Sequence, residues 1–467
     1  MIRIDQIKSL PDAKFLNLAF TSAKSVSTDS RRVSRGQIFF ALRGERYDGH
    51  SFVGEAIQKG AACAVVDRKW NNDNKKVSAV FPLVVVRDTT RALGELAQIY
   101  RRGFKIPIVA IAGSNGKTTT KEMTARVLRK KYNVLKTSGN FNNQIGVPLT
   151  LFQLREDHDF SVIEIGTNHF GEIERLCEIA RPTAGLITNI GNEHLEFFRS
   201  TGGVKKEESK LFNYLGEHKG LVFINTDDKI ILGLSKSLRH KFSYGFSDSA
   251  ASKRNLSGRL IGFDDAGCAI FEMNHDGKKE QIHLKIPGIH GASNALAAAA
   301  VGFHFGVAHE DIKKALESYR SVEKRMQILR VGGVTILNDT YNSNPESTIA
   351  ALRWLATVRS SGKKIAVLAD MLELGASSVR EHRRVGKEIA LNKVDYLFTF
   401  GDLAREMAGS SDSDVKSESF DNKDELCRSL LNTVSAGDVI LVKGSRGMKM
   451  EEVVGELSRR LEPGGGR

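Results

Sequence analysis

Cysteine is scarce and unpaired in this chain, with Cys63, Cys177, Cys268 and Cys427 the only four among 467 residues. None forms the close spacings that hold zinc or staple a small secreted domain, so both devices are excluded as organisers of the fold. Reduced cysteines in a cytoplasmic protein are expected. No uninterrupted apolar stretch approaches the roughly 20 residues a membrane-spanning helix needs. The start, Met1-Ile2-Arg3-Ile4-Asp5-Gln6, has no charged segment leading into an apolar one, which again fits a soluble protein without membrane insertion. Internal repeats and long low-complexity segments are missing. So is a basic tail: the net charge is +14, but the cations are dispersed, and clusters such as Arg129-Lys130-Lys131 read as solvated surface. A dedicated nucleic-acid surface is not expected, whereas a polyphosphate ligand suits the charge.

What the chain does carry begins with an apolar run, Ile106 to Ala112, that breaks into Gly113-Ser114-Asn115-Gly116-Lys117-Thr118-Thr119 and a polar helix start. Strand, glycine turn, Lys-Thr and helix together make a phosphate cradle, because glycines let successive N–H groups point at phosphate oxygens while the helix adds its positive N-terminus. Lys117 is placed to reach the β- and γ-phosphates and Thr118 to bind Mg²⁺, so ATP and Mg²⁺ are the expected cofactors. The loop is a shortened variant, with Ile111 where the general pattern has its first glycine.

Length alone favours about three domains. In the first hundred residues two polar turns, Thr28-Asp29-Ser30-Arg31 and Asp48-Gly49-His50, flank the apolar Ile38 to Leu42. A helix over Phe52 to Lys59 and a buried strand over Ala61 to Val66 complete a small α/β module. By residue chemistry alone, Asp29, Ser30 and Arg31 are turn and cap residues. A boundary is expected near Arg101 to Phe104, after a helix over Thr90 to Tyr100. Beyond the P-loop come Asn140-x-Asn142-Asn143-x-x-Gly146-x-Pro148, a strand over Ser161 to Gly166 containing Glu164, and another over Ala184 to Ile190. Continuous apolar strands separated by helices imply a doubly wound, mostly parallel sheet, with ligands at the carboxyl ends of its strands. Glu164 and the Asn189 to His194 turn fall there, beside the P-loop. A carboxylate inside an apolar strand is costly without a partner, which favours a ligand role for Glu164.

From Leu221 to Lys285 the pattern is strand-like, with hairpin turns at Asp264 to Gly267 and His275 to Gly277 and no evident chemistry. Ser293-Asn294 opens an alanine-rich helix, leaving Asn294 as either cap or ligand. A last α/β domain begins near Ser321, with strands at Val334 to Asn338, Ile365 to Leu368, Tyr396 to Phe400 and Val439 to Val442. Polar residues gather at their ends, among them Asp339-Thr340-Tyr341-Asn342 and Asp370-Met371-Leu372-Glu373-Leu374-Gly375. The glycine-rich tail Pro463 to Arg467 is expected to lack fixed structure.

Taken in order, these motifs resemble the Mur ligase family over nearly the whole chain. The Thr-Thr-Pro and Asp-Asn-Pro-Arg motifs of the sister ligase that adds the third peptide residue are absent. The resemblance implies an α/β protein of three domains: 1–103 for the UDP-muramyl substrate, 104–320 as a P-loop ATPase, and 321–467 as a Rossmann-like ligase domain. It implies an ATP-dependent ligase joining D-alanyl-D-alanine to UDP-N-acetylmuramoyl-tripeptide through an acyl phosphate, acting as a monomer. Carried over residue by residue, Lys117, Glu164 and His194 are catalytic, with one Mg²⁺ on Thr118 and Glu164 and His194 on a second near the acyl phosphate. Asn294, Arg325 and Asp339 would contact ATP, Arg325 at the phosphates and Asp339 at the ribose. Thr28, Asp29, Ser30, Arg31, Asp48, Gly49 and His50 would face the UDP end, and Asn140, Asn142 and Asn143 the muramyl end.

The family commonly holds its second Mg²⁺ with a CO₂-modified lysine. Counting from His194 and from Leu211-Phe212 puts Glu208 at that position, where glutamate offers the same two oxygens on a shorter stem. With the helix offset, Lys206 or Lys205 would instead carry the modification. A folylpolyglutamate-synthetase-like or other Mur-type ligase would share the ATP machinery, but the first domain argues against the folate reading. A nucleic-acid-dependent P-loop ATPase generally pairs its loop with a strand ending in Asp, whereas these strands end at Glu164 and Asn189.

Overall fold

The computed structural model describes residues 1–45, 47–246, 254–411 and 414–462. The tail from Pro463 lies outside the described residues. The described chain is the expected α/β protein built on three principal sheets.

The first sheet has five strands in the order Lys14–Leu16, Leu83–Val86, Cys63–Asp67, Ile38–Phe40, Val26–Ser27. All its pairings are parallel except that of the edge strand Lys14–Leu16. The central sheet has nine strands. Val134–Lys136, Phe160–Glu164, Ile108–Ala112, Ala184–Ile187, Leu221–Asn225 and Lys241–Gly245 run parallel, in that order, through Leu256–Phe263. Cys268–His275 and Lys278–Pro287 then extend it antiparallel. The region from Leu221 is therefore a continuation of the central sheet.

The third sheet runs Gln327–Val331, Val334–Asp339, Val439–Lys443, Lys364–Ala369, Tyr396–Phe400, Lys416–Phe420, parallel but for its first pair.

Ile108–Ala112 is a strand because every side chain in it is fully buried. Burying each Val or Ile contributes about 1.5–3 kcal/mol, which outweighs propensity differences of a few tenths. The polar residues that follow each central strand are then carried to one edge of the sheet.

One expected cap is corrected. The alanine-rich helix spans Ile289–His304 and starts from Gly288 at φ 80°, so Asn294 lies inside it and does not cap it. Small residues on this helix admit the P-loop helix Lys117–Leu128, and a Cβ at Gly302 would stand 2.4 Å from Val127 Cγ1.

The helix Thr89–Arg101 fastens the first sheet to the central one. Tyr100 donates to the Leu154 carbonyl at 2.8 Å and Gln98 to that of Glu178 at 2.7 Å. Arg101 donates to the Ala180 carbonyl, and burial pushes its guanidinium down to about 10. The Asp264 to Gly267 turn, which showed no chemistry in the sequence, docks the third sheet. Trp354 Nε1 donates to the Ala266 carbonyl at 3.0 Å, and Arg359 pairs with Asp265 at 2.9 Å.

Candidate active site

The P-loop sits over the end of Ile108–Ala112 and against the turn that follows Ala184–Ile187. Gly113 has φ +114°, and a Cβ there would lie 2.4 Å from Thr188 Oγ1; Gly116 has φ +82°, and its Cβ would lie 2.6 Å from Asn294 Oδ1. Both glycines are thus required by backbone angle and by space. Asn189 staples the loop: its carbonyl accepts from Ser114 N, its Oδ1 from Asn115 N, and its Nδ2 donates to the Asn115 carbonyl. Asn294 Oδ1 also accepts from Thr120 Oγ1 at 3.1 Å, so it braces the loop from the neighbouring helix.

Gly116→Ala is expected to weaken ATP binding roughly tenfold, since the left-handed backbone alone costs a side chain about 1–2 kcal/mol. An equilibrium nucleotide titration checks this, and unchanged affinity would contradict the cradle.

Lys117 Nζ donates to the Gly113 and Ser114 carbonyls and stands 3.6 Å from Glu193. Burial alone would lower its ammonium; the carboxylates of Glu193, Glu208 and Glu164 overcome that and hold it above the ordinary lysine range. Glu164 Oε1 accepts from Thr118 Oγ1 at 3.1 Å and from Asn142 Nδ2 at 2.8 Å. Its Oε2 lies 3.7 Å from Lys121, a fully buried lysine that also pairs with Glu122 at 3.0 Å and donates to the Gly139 carbonyl.

Glu208 is wholly buried on the helix Thr201–Glu217. Burial pushes its carboxyl up to about 8, against the pull of Lys117. Its neighbour Glu207 instead binds the Gly171 and Ile173 amides at the start of the helix Glu172–Ala180. Lys205 and Lys206 are exposed, and Lys206 reaches over the Phe170 ring. The offset reading would need a lysine turned inward, and the helix turns both of these outward.

Of these groups Lys117, Thr118, Asn142, Glu164 and Glu193 line a cavity of about 710 Å³ that also reaches the third sheet's loops, whereas Glu208 is wholly buried and does not line it. Arg325 lines it with its guanidinium 3.7 Å over the Tyr341 ring. Asp339 lines it too, with one oxygen accepting from Met326 N and the other from the buried Lys443 at 2.6 Å. Asn140 and Asn143 are at the wall, the latter capping the Ile145 and Gly146 amides. His194, at φ 48°, contacts Glu373 from the third sheet's loops.

The first-sheet residues stand apart from this cavity. Asp29 caps the turn Ser30–Arg32, and its bond to Arg31 draws its carboxyl down to about 2. Thr28 immediately precedes it, after the strand Val26–Ser27. Asp48 caps Gly49–Phe52 and pairs with His50 Nδ1 at 2.6 Å, while His50 Nε2 accepts from Asp67 N, which fixes the neutral tautomer with its proton on Nδ1. Gly49 is needed because a Cβ would fall 2.8 Å from the Leu42 backbone. Both turns nevertheless lie at strand carboxyl ends, where ligands of such sheets bind.

Sequence reasoning missed Lys121, Glu193 and Glu373. Lys121 could have been found, since it stands one helical turn after Lys117 on the same face. The donor set fits Mg²⁺ on one observation: Glu164 Oε2, Glu193 Oε1 and both oxygens of Glu208 are buried without a hydrogen-bond partner among the described residues. Buried carboxylate oxygens without partners are expensive, and a dication offsets that cost. Among the described residues no three His, Cys, Asp or Glu groups form a ready metal cage. Mg²⁺ held largely by phosphates and water needs only one or two carboxylates.

Three family descriptions match the chain: "Mur ligase family, catalytic domain" over 22–101, "Mur ligase middle domain" over 111–302, and "Mur ligase, glutamate ligase domain" over 324–446. The UDP-N-acetylmuramoyl-tripeptide--D-alanyl-D-alanine ligase of Bacillus subtilis is 35% identical over 94% of this chain and 93% of its own. That of Escherichia coli is 36% identical over 93% of each. A crystal structure of MurF from Acinetobacter baumannii superposes with a TM-score of 0.87 at 30% identity, covering 98% of both chains. MurF from Thermotoga maritima in complex with ADP gives 0.82 at 27% identity, over 94% of this chain and 97% of the other. With full-length relatives above 30% identity and all three domain descriptions in order, the chain belongs to the Mur ligase family.

Proposed function

We propose that the protein joins D-alanyl-D-alanine to UDP-N-acetylmuramoyl-tripeptide, with ATP converted to ADP and phosphate. The single observation that carries the ATP chemistry is Lys117, held in the glycine cradle and facing the buried carboxylates of Glu164, Glu193 and Glu208. The names of the full-length relatives support the choice of substrates. Residues 1–103 bind the UDP end, 104–320 the ATP, and 321–467 close over the nucleotide and admit the dipeptide. The enzyme works as a monomer in the cytoplasm, in keeping with the lack of any membrane-crossing helix among the described residues.

In this reading the terminal carboxylate of the tripeptide attacks the γ-phosphorus, and the P–O bond to ADP breaks. Lys117 and the P-loop amides stabilise the charge spread over the transferring phosphoryl group. The dipeptide amine then adds to the acyl phosphate, and the resulting tetrahedral intermediate expels phosphate and keeps the new C–N bond. Thr118, Glu164, His194 and Glu208 would hold Mg²⁺, which when bound neutralises charge on the phosphate and acyl oxygens. Asn142, bonded to Glu164, fixes that carboxylate toward Thr118, while Asn140 and Asn143 border the muramyl end. Arg325 flanks the phosphates from its stack on Tyr341. Asp339 sets the ribose side of the pocket, with Lys443 fixing the direction of its carboxylate. ADP release is expected only when UDP-N-acetylmuramoyl-tripeptide and D-alanyl-D-alanine are both present. Release with either alone, or with a free amino acid in place of the dipeptide, would overturn the assignment.

A further inference from the structure

The stretch Asp370 to Gly375 follows the strand Lys364–Ala369 and has no role in the chemistry above. Its root is tied into the third sheet's domain: Asp370 Oδ1 accepts from Ala404 N, Met371 N donates to His382 Nε2, and Leu372 N to Ser445 Oγ. Its tip crosses to the central domain. The Glu373 carbonyl accepts from Glu196 N at 3.0 Å, and Gly375, at φ +53°, is so close that a Cβ would meet Glu196 Cα at 3.0 Å. Between these two contacts Glu373 Oε2 lies 2.5 Å from His194 Nδ1. Both residues hold left-handed backbone, φ 64° and 48°. Such angles are costly for side chains other than glycine and persist where the surroundings dictate them.

We propose that Glu373 is a positioning residue for His194, through which the C-terminal domain completes the cation site of the central one. The proposal rests on His194 being a Mg²⁺ ligand, as in the function given above. A carboxylate against Nδ1 favours the proton on that nitrogen and leaves Nε2 of this cavity-lining residue as the lone-pair donor. Because the carboxylate and the imidazole come from different domains, the ligand is oriented only when the domains are together. Two further bonds come from the same domain: Glu346 Oε2 accepts from Asn192 N of the His194 loop at 3.2 Å, and Asn344 Nδ2 donates to Asn115 Oδ1 of the P-loop at 3.0 Å.

The test titrates Mn²⁺ into the full-length protein with a non-hydrolysable ATP analogue, read by electron paramagnetic resonance. Glu373→Ala is expected to weaken Mn²⁺ binding about 10–100-fold. Glu373→Gln, which keeps the shape and loses the charge, should weaken it less, in the same direction. Saturating Mg²⁺ should restore most of the ADP release of Glu373→Ala, a rescue that simple structural damage would not allow. His194→Ala separates the two claims. If it leaves Mn²⁺ affinity unchanged, the ligand reading of His194 falls and this proposal with it. If His194→Ala weakens binding while neither Glu373 variant does, the positioning role alone is overturned.

Discussion

Replacing Lys117 by alanine is expected to lower kcat for ADP release by at least about 100-fold, the scale of loss when a preorganised charge-stabilising group is removed. The geometry explains why no neighbour substitutes. Lys121, another buried cation, is turned toward Glu122, Glu164 and the Gly139 carbonyl, while Arg325 lies over Tyr341. The substitution also leaves Glu193, Glu208 and Glu164 facing one another without their shared cation. A fall in stability on the order of 3 kcal/mol is therefore expected in Mg²⁺-free buffer, as for other buried pairs that lose one partner. Thermal melts set the assay temperature, and affinity for the UDP-muramyl substrate serves as a control that the first domain is intact. Activity within about tenfold of the parent would contradict the role of Lys117.

Glu208→Gln should move stability and activity in opposite directions. With its carboxyl raised to about 8 in the folded protein, the stabilising contribution of the protonated form is complete below the ordinary carboxylate range and is lost as pH rises through about 8. Glutamine cannot ionise, so without Mg²⁺ the variant should gain stability over the parent increasingly as pH rises across that window. If Glu208 holds the cation as proposed, the variant's activity should fall severely, because glutamine offers one neutral oxygen in place of a carboxylate. Lys206→Ala should be active, since that side chain is exposed, and bicarbonate depletion should leave the parent unchanged. Melting curves over a pH series and steady-state rates read both effects. An active Glu208→Gln enzyme, or a CO₂ adduct on a lysine in the intact mass, would refute the assignment.

The parts of the site legible in the sequence are those whose reasons are local. Gly113 and Gly116 are demanded by their own backbone angles, and Lys117 and Thr118 by their place at a helix start. Glu164 announced itself as a charge inside an apolar strand, whereas Glu208 was reached only through the family resemblance, by counting from His194 and from Leu211-Phe212. Asn294 was ambiguous because Ile289-His290-Gly291 carries no helix-start signal; the start is set by Gly288 leaving the strand Lys278–Pro287. The contacts that join domains were not legible at all. Glu373 meets His194 and Trp354 meets the Ala266 carbonyl across long stretches of chain, where neither periodicity nor turn chemistry carries information. The same holds for the antiparallel strands after Leu256, whose pattern reads as strands and hairpin turns but does not say that they pair onto the central sheet.

The central claim is that a carboxylate is activated by phosphoryl transfer inside the Lys117 cradle before the amide forms. The measurement that reaches it most directly uses tripeptide substrate labelled with ¹⁸O in its terminal carboxylate, with ATP, Mg²⁺ and D-alanyl-D-alanine, and reads the released phosphate by mass spectrometry. An acyl phosphate requires one labelled oxygen in each phosphate, the second remaining in the new amide. Unlabelled phosphate, or label appearing in AMP, would contradict the account.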